Sequence, residues 1–217
     1  MNKENIIVAT IIFVQETLKD AEGGHDWWHI HRVWKTAQSI AKNENVDTFV
    51  VELAALLHDI ADSKFHGGDE TVGPKKARQF LETMEVDEQT ITHVVKIIEN
   101  ISFKGGNETQ HFKSLQLDVV QDADRLDAIG AIGIARAFNY GGYKNRKLYD
   151  PAIKPILNKT KEAYKNSTEP TINHFYEKLL LLKDRMNTKT GKEMAMQRHD
   201  FMVGYLEQFF EEWGGKK

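Results

Sequence analysis

Apolar residues return every three to four positions along almost the whole chain, and this regularity narrows the fold more than any single motif. Ile7, Ile11, Val14 and Leu18 make one such stripe, the period of an amphipathic helix; a half-buried strand would repeat every second residue. After Gly23-Gly24, a second helix carries Ile30, Val33, Trp34, Ala37, Ile40 and Ala41 on its core side. Asp47 fits the N-cap of a third, and residues 49–57 are apolar nearly all round, which places that helix at the centre of a bundle. Helical patterns also cover 75–84, 88–101, 114–126, 128–138, 171–185 and 191–213, and polar stretches at 62–74, 102–113 and 139–151 read as loops. No run of several alternating residues predicts a strand, and no repeat or linker divides the chain. The expectation is one all-α domain over residues 1–217, a multi-helix bundle.

Composition removes several kinds of chemistry. With 0 cysteines, disulfides, thiolate nucleophiles, iron–sulfur clusters and thiolate zinc sites are excluded together, so any metal must be held by nitrogen and oxygen. A total of 29 basic against 32 acidic residues gives −3, a poor electrostatic footprint for tracking a nucleic-acid polymer. The strongest apolar run, 49–57, is too short to span a bilayer, and Met1–Asn5 lacks the basic start of a signal peptide. A cytoplasmic protein that makes no use of membranes is expected.

Acids and histidines occur in three places where a core should be. His25 and His29 share a helical face with Val33, Thr36 and Ile40, whereas His31 lies about 200° around from His29, beside Lys35, Gln38 and Lys42. His29 should therefore point inward and His31 toward solvent. His58-Asp59 ends the most apolar helix, where a carboxylate must be paired or bound to a cation because burying it alone costs several kcal/mol. Asp62 follows three residues on. In the segment Asp122-Ala123-Asp124-Arg125-Leu126-Asp127, Asp124 shares a face with Leu117 and Val120. It should be better buried than Asp122, which sits nearer Asp118 on a more polar edge. Two histidines and two aspartates from three helices would form a nitrogen/oxygen cage with positions open to water. Such a cage suits phosphoester hydrolysis.

His29 in His-Ile-His-Arg-Val, His58-Asp59 in Leu-Leu-His-Asp-Ile and Asp124 in Ala-Asp-Arg-Leu resemble the motifs of the HD superfamily of metal-dependent phosphohydrolases. The resemblance covers about residues 24–137. It implies an all-α domain in which His29, His58, Asp59 and Asp124 hold one divalent ion. Mn²⁺ or Mg²⁺ comes first, with Ni²⁺, Co²⁺, Fe²⁺ and Zn²⁺ also admitted. By the same resemblance Asp62 orients or activates the attacking water. The stretches 60–65, 101–106 and 124–133 are similar to a bacterial subgroup that includes YedJ and YpgQ, which implies a small phosphorylated substrate, foremost a nucleotide cleaved as a pyrophosphohydrolase or phosphatase would. The alternative is a nucleotide-sensing module that keeps the metal site but turns over little. A di-iron oxygenase ranks low, because it needs more histidine ligands.

Lys64, Lys104, Arg125 and Arg136 are candidates for phosphate contacts, each with an ordinary surface role as the competing explanation. His93 is the candidate ligand for a second metal. Close helix packing accounts for Gly130 and Gly133. Trp27, Trp28 and Trp34 read as core anchors, and His66, His111, His174 and His199 as surface or loop residues.

Overall fold

The computed structural model describes residues 1–21, 26–61, 69–101, 112–157 and 168–216. Asp62, Lys64 and Lys104, together with His25, His66 and His111, lie outside the described residues. The chain forms two compact units, Met1–Asp124 and Arg125–Lys217. Among the described residues every regular element is helical and no strand occurs.

The first unit holds α1 (Lys3–Thr17), α2 (Trp27–Ala41), α3 (Thr48–Leu57), α4 (Val72–Thr83), α5 (Glu88–Asn100) and most of α6 (Leu115–Asp127). Helix α3 packs against α1, α2 and α5, the central position that its unbroken apolar surface demands. Leu53, Leu56 and Leu57 are fully buried, each worth about 2 kcal/mol of transfer free energy. Asp47 caps α3 as expected, its carboxylate accepting from the Phe49 N–H at 2.9 Å. Glu52 ties α3 to α2 by accepting from Trp34 Nε1 at 2.9 Å and from Gln38 Nε2 at 2.7 Å.

The first helix departs from its expected phase. Its buried side is Ile6, Thr10, Val14 and Leu18, not the stripe through Ile7 and Ile11. A polar residue supplies the missing contact: the buried Thr10 hydroxyl donates to the Ile6 carbonyl at 2.7 Å, so it joins the core without an unpaired group. Trp34 is a core residue as expected, but Trp28 is exposed. Trp27, Trp28 and Trp34 instead flank His31, with ring centroids 5.7–6.1 Å from its imidazole.

In the second unit, α7 (Gly130–Tyr143) packs on α8 (Thr171–Glu177) and on the long α9 (Lys189–Trp213), and a 3₁₀ helix (Leu179–Arg185) packs on both α8 and α9. Residues 139–143, expected as loop, continue α7, while 72–74 open α4. The glycine pair 141–142 is tolerated because Gly141 meets Thr171: a Cβ there would lie 2.1 Å from the Thr171 hydroxyl. Gly133 is fixed more strictly, since its Cβ would fall 2.3 Å from the Ala128 carbonyl oxygen.

Candidate metal centre

Three helices of the first unit deliver the cluster. Asp26 caps α2 by accepting from the His29 N–H at 2.9 Å, which sets His29 in the first turn with its side chain only 3% exposed. The apolar α3 ends at Leu57 and hands the chain to His58 and Asp59. Near the other end of the unit, α6 brings Asp124 to the same point. His29 Nε2 stands 3.5 Å and His58 Nε2 3.9 Å from one oxygen of Asp124, and the two imidazoles meet edge to face at 5.3 Å. Ligand atoms of His29, His58 and Asp59 lie within 4.8 Å of one another. Atoms bound about 2.1 Å from a single cation are about 3.0 Å apart when adjacent and about 4.2 Å when opposite, so the 3.5 and 3.9 Å separations suit one divalent ion.

The tautomer of His58 points the same way. Its Nδ1 lies 2.8 Å from the Ala55 carbonyl, which can only accept, so Nδ1 carries a hydrogen, and in the neutral ring Nε2 then carries the lone pair. That Nε2 is buried without a hydrogen-bond partner. A lone pair aimed into a group of carboxylates is a poor hydrogen-bonding design but a good metal-ligand design, and the Ala55 carbonyl is the outer partner that orients it. The His/His/Asp cluster can therefore hold a divalent cation.

Burial misleads for the third motif. Asp122 is fully buried, and the side chain of Asp124 is 39% exposed, the reverse of the expected order. From Leu117 to Asp127 helix α6 is buried at every position except Asp118, Asp124 and Arg125. Asp124 nevertheless faces both histidines. His29 is inside and the half-buried His31 is outside the cluster, as the helical phase predicts. His93 is elsewhere: its Nε2 lies 3.0 Å from the Ser114 hydroxyl, its ring edge meets Phe112, and burial holds its pKa below the usual 6.5. It joins no metal-binding group among the described residues.

Two of the candidate phosphate contacts are engaged within the second unit. Arg125 donates to the Arg185 carbonyl at 2.6 Å. Arg136 donates to the Asp127 carbonyl at 3.2 Å and pairs with the Asp127 carboxylate. The sequence gives no sign of buried Gln121 or of Arg198, which donates to the Leu126 carbonyl. Only three-dimensional proximity reveals Arg198, which is 72 residues from its partner.

The HD-domain family matches residues 27–129, a span that includes every residue of the cluster. YpgQ of Bacillus subtilis is 39% identical over 199 residues, covering 90% of this chain and 88% of that protein. The chain belongs to the HD superfamily of metal-dependent phosphohydrolases. An HD-superfamily hydrolase from Bacillus thuringiensis has the same fold at 45% identity, with a TM-score of 0.81 over 98% of this chain and 99% of that one. The crystal structure of YpgQ in complex with ADP superposes with a TM-score of 0.77 at 36% identity, covering 98% and 97% of the two chains. In this HD chain, no described helix is long and apolar enough to cross a membrane.

Proposed function

We propose that this HD phosphohydrolase cleaves a phosphate bond of a nucleotide, with one Mn²⁺ or Mg²⁺ ion held by His29, His58, Asp59 and Asp124. The observation that carries the proposal is the buried Nε2 lone pair of His58, unpaired and directed at the one place where His29 and Asp124 converge. The ADP bound by YpgQ supports a nucleotide as the substrate class. A divalent ion at this position would lower the pKa of a bound water and screen phosphate charge.

The chain's own side chains have separate tasks in this scheme. His29 and His58 offer lone pairs from a dry wall, while the half-open Asp124 borders the side where substrate arrives. Asp62 orients the attacking water and accepts its proton. Lys64 and Lys104 supply the remaining positive charge to the phosphates. Arg125 and Arg136 suit that role less well, because their guanidinium groups already serve backbone carbonyls and a carboxylate. The balance of charge favours small phosphate compounds over polymers.

The test is a metal-supplemented hydrolysis screen of nucleoside mono-, di- and triphosphates against generic phosphoesters and nucleic acids, reading phosphate and pyrophosphate release. Nucleotides should be the fastest substrates, and activity should vanish with chelator. Saturable nucleotide binding without turnover under any divalent metal would make the protein a sensor and defeat the proposal.

A further inference from the structure

Arginines gather around the carboxyl end of α6. The last carbonyls of a helix have no intrahelical partners and must find donors elsewhere. Here the Ile129 N–H reaches the Leu126 carbonyl at 3.2 Å, and two cations add to that turn. Arg198, on α9, donates to the Leu126 carbonyl, and Arg136, on α7, donates to that of Asp127 at 3.2 Å while pairing with the Asp127 carboxylate. Positive charge also opposes the negative end of the helix dipole.

The slot for Arg198 is built. Gly130 has φ +76°, in the left-handed region that favours glycine. A Cβ at this position would stand 3.0–3.2 Å from Cγ, Cβ and Cδ of Arg198, so the glycine both turns the chain and makes room for the arginine stem. Burial pushes the Arg198 guanidinium below its usual range, and the negative charge of Asp127 counters that push. A desolvated cation kept in such a place needs a reason.

We propose that Arg198 is a positioning residue for Asp124: by fixing the last turn of α6 through the Leu126 carbonyl, it sets the reach of the carboxylate two residues earlier. The inference rests on the metal reading above. Arg198 touches neither substrate nor ion and acts only through the helix. Gly130, which makes room for Arg198, and Arg136, which donates to the Asp127 carbonyl, then share that task of seating the end of α6.

The experiment titrates Mn²⁺ calorimetrically into metal-free protein with no substrate present. Arg198→Met preserves volume but removes the donor, and it should weaken Mn²⁺ binding about 10- to 100-fold, as loss of an outer-shell partner does. Arg198→Lys, which keeps a cation in the slot, should recover most of the affinity. In the companion assay, saturating Mn²⁺ should return kcat of Arg198→Met to near the unaltered value with KM for nucleotide unchanged, which a general loss of structure would not allow. If Arg198→Met fails to fold, Arg198→Gln takes its place, since its amide keeps the slot polar but is too short to reach the carbonyl. Unchanged Mn²⁺ affinity in a folded Met or Gln variant would overturn the proposal, as would an equal loss in Arg198→Lys. Absence of saturable Mn²⁺ binding in the unaltered chain would count against the metal reading itself, and so is distinguishable from either.

Discussion

With Nδ1 committed to the Ala55 carbonyl, His58 has one nitrogen left, and that nitrogen is buried beside His29 and Asp124. His29 and His31, two residues apart on α2, face opposite surroundings. The first is 3% exposed inside the cluster, and the second lies against tryptophan rings. His29→Ala should therefore abolish hydrolysis and most bound metal, whereas His31→Ala should keep most of both, as read by elemental analysis and rate on variants shown to be folded. Asp62→Asn should depress kcat while leaving metal content and KM near their original values, since a water-orienting carboxylate acts mainly in the transition state. His93 makes a different prediction, about pH. Burial lowers its folded pKa below the unfolded 6.5, so the unfolded chain takes up the proton first, and stability contributed by this residue is present above 6.5 and is lost as pH falls below it. The nearby Asp47 pulls the pKa up and Lys96 pulls it down, both less than burial does. His93→Gln should flatten part of the fall in urea midpoint between about pH 7.5 and about pH 5.5; an unchanged slope would show that His93 does not contribute. Residue identities were legible in the sequence where helical phase met a strong apolar stripe, as at His29. They were not legible at Asp122 and Asp124, because α6 is covered on nearly all sides and phase then says nothing about burial.

At the scale of the element, the cluster depends on where helices begin and end. Helix α3 must end at Leu57 with His58 and Asp59 in the next turn, and its start is fixed by Asp47. Asp47→Ala should cost about 1 kcal/mol of stability, as the loss of an N-cap usually does, and should lower the urea midpoint without changing the slope of the transition. A change in that slope would mean that the variant alters the unfolded or native ensemble instead of removing a cap. Long, strongly patterned helices were readable from sequence: α3, α5 and α9 appear within a few residues of the expected spans. The errors arose where a residue's polarity or flexibility misrepresents its place. Thr10 hides its hydroxyl on its own helix and so belongs to the core, which turns the buried side of α1 by one position. The 139–143 stretch looks like a loop because of its two glycines, yet α7 runs through them, and position 141 requires glycine because a side chain there would collide with Thr171. Local propensity argued for a break there, and packing within the second unit overrode it.

For the whole molecule, the candidate metal site assembled from α2, the end of α3 and α6 joins residues that are 95 positions apart, from 29 to 124. The unfolded chain cannot present these ligands together, so cation binding and folding are linked. A ligand that binds only the native state stabilises it by about 2.7 kcal/mol at a concentration 100 times its Kd. For a chain of this size that corresponds to about 5–10 °C in Tm. Mn²⁺ added to chelator-stripped protein should raise Tm by about that amount and chelator should reverse it, as followed by scanning calorimetry. In His58→Ala the increment should disappear even where the variant's own metal-free Tm is close to that of the unaltered chain, because the buried lone pair that the cation requires is gone. An equal increment in His58→Ala would place the bound ion elsewhere and remove the cluster from the mechanism. A Tm insensitive to Mn²⁺, Mg²⁺ and their chelation in the unaltered protein would show that the histidines and aspartates are held together by the fold alone, leaving their convergence without a cation to explain it.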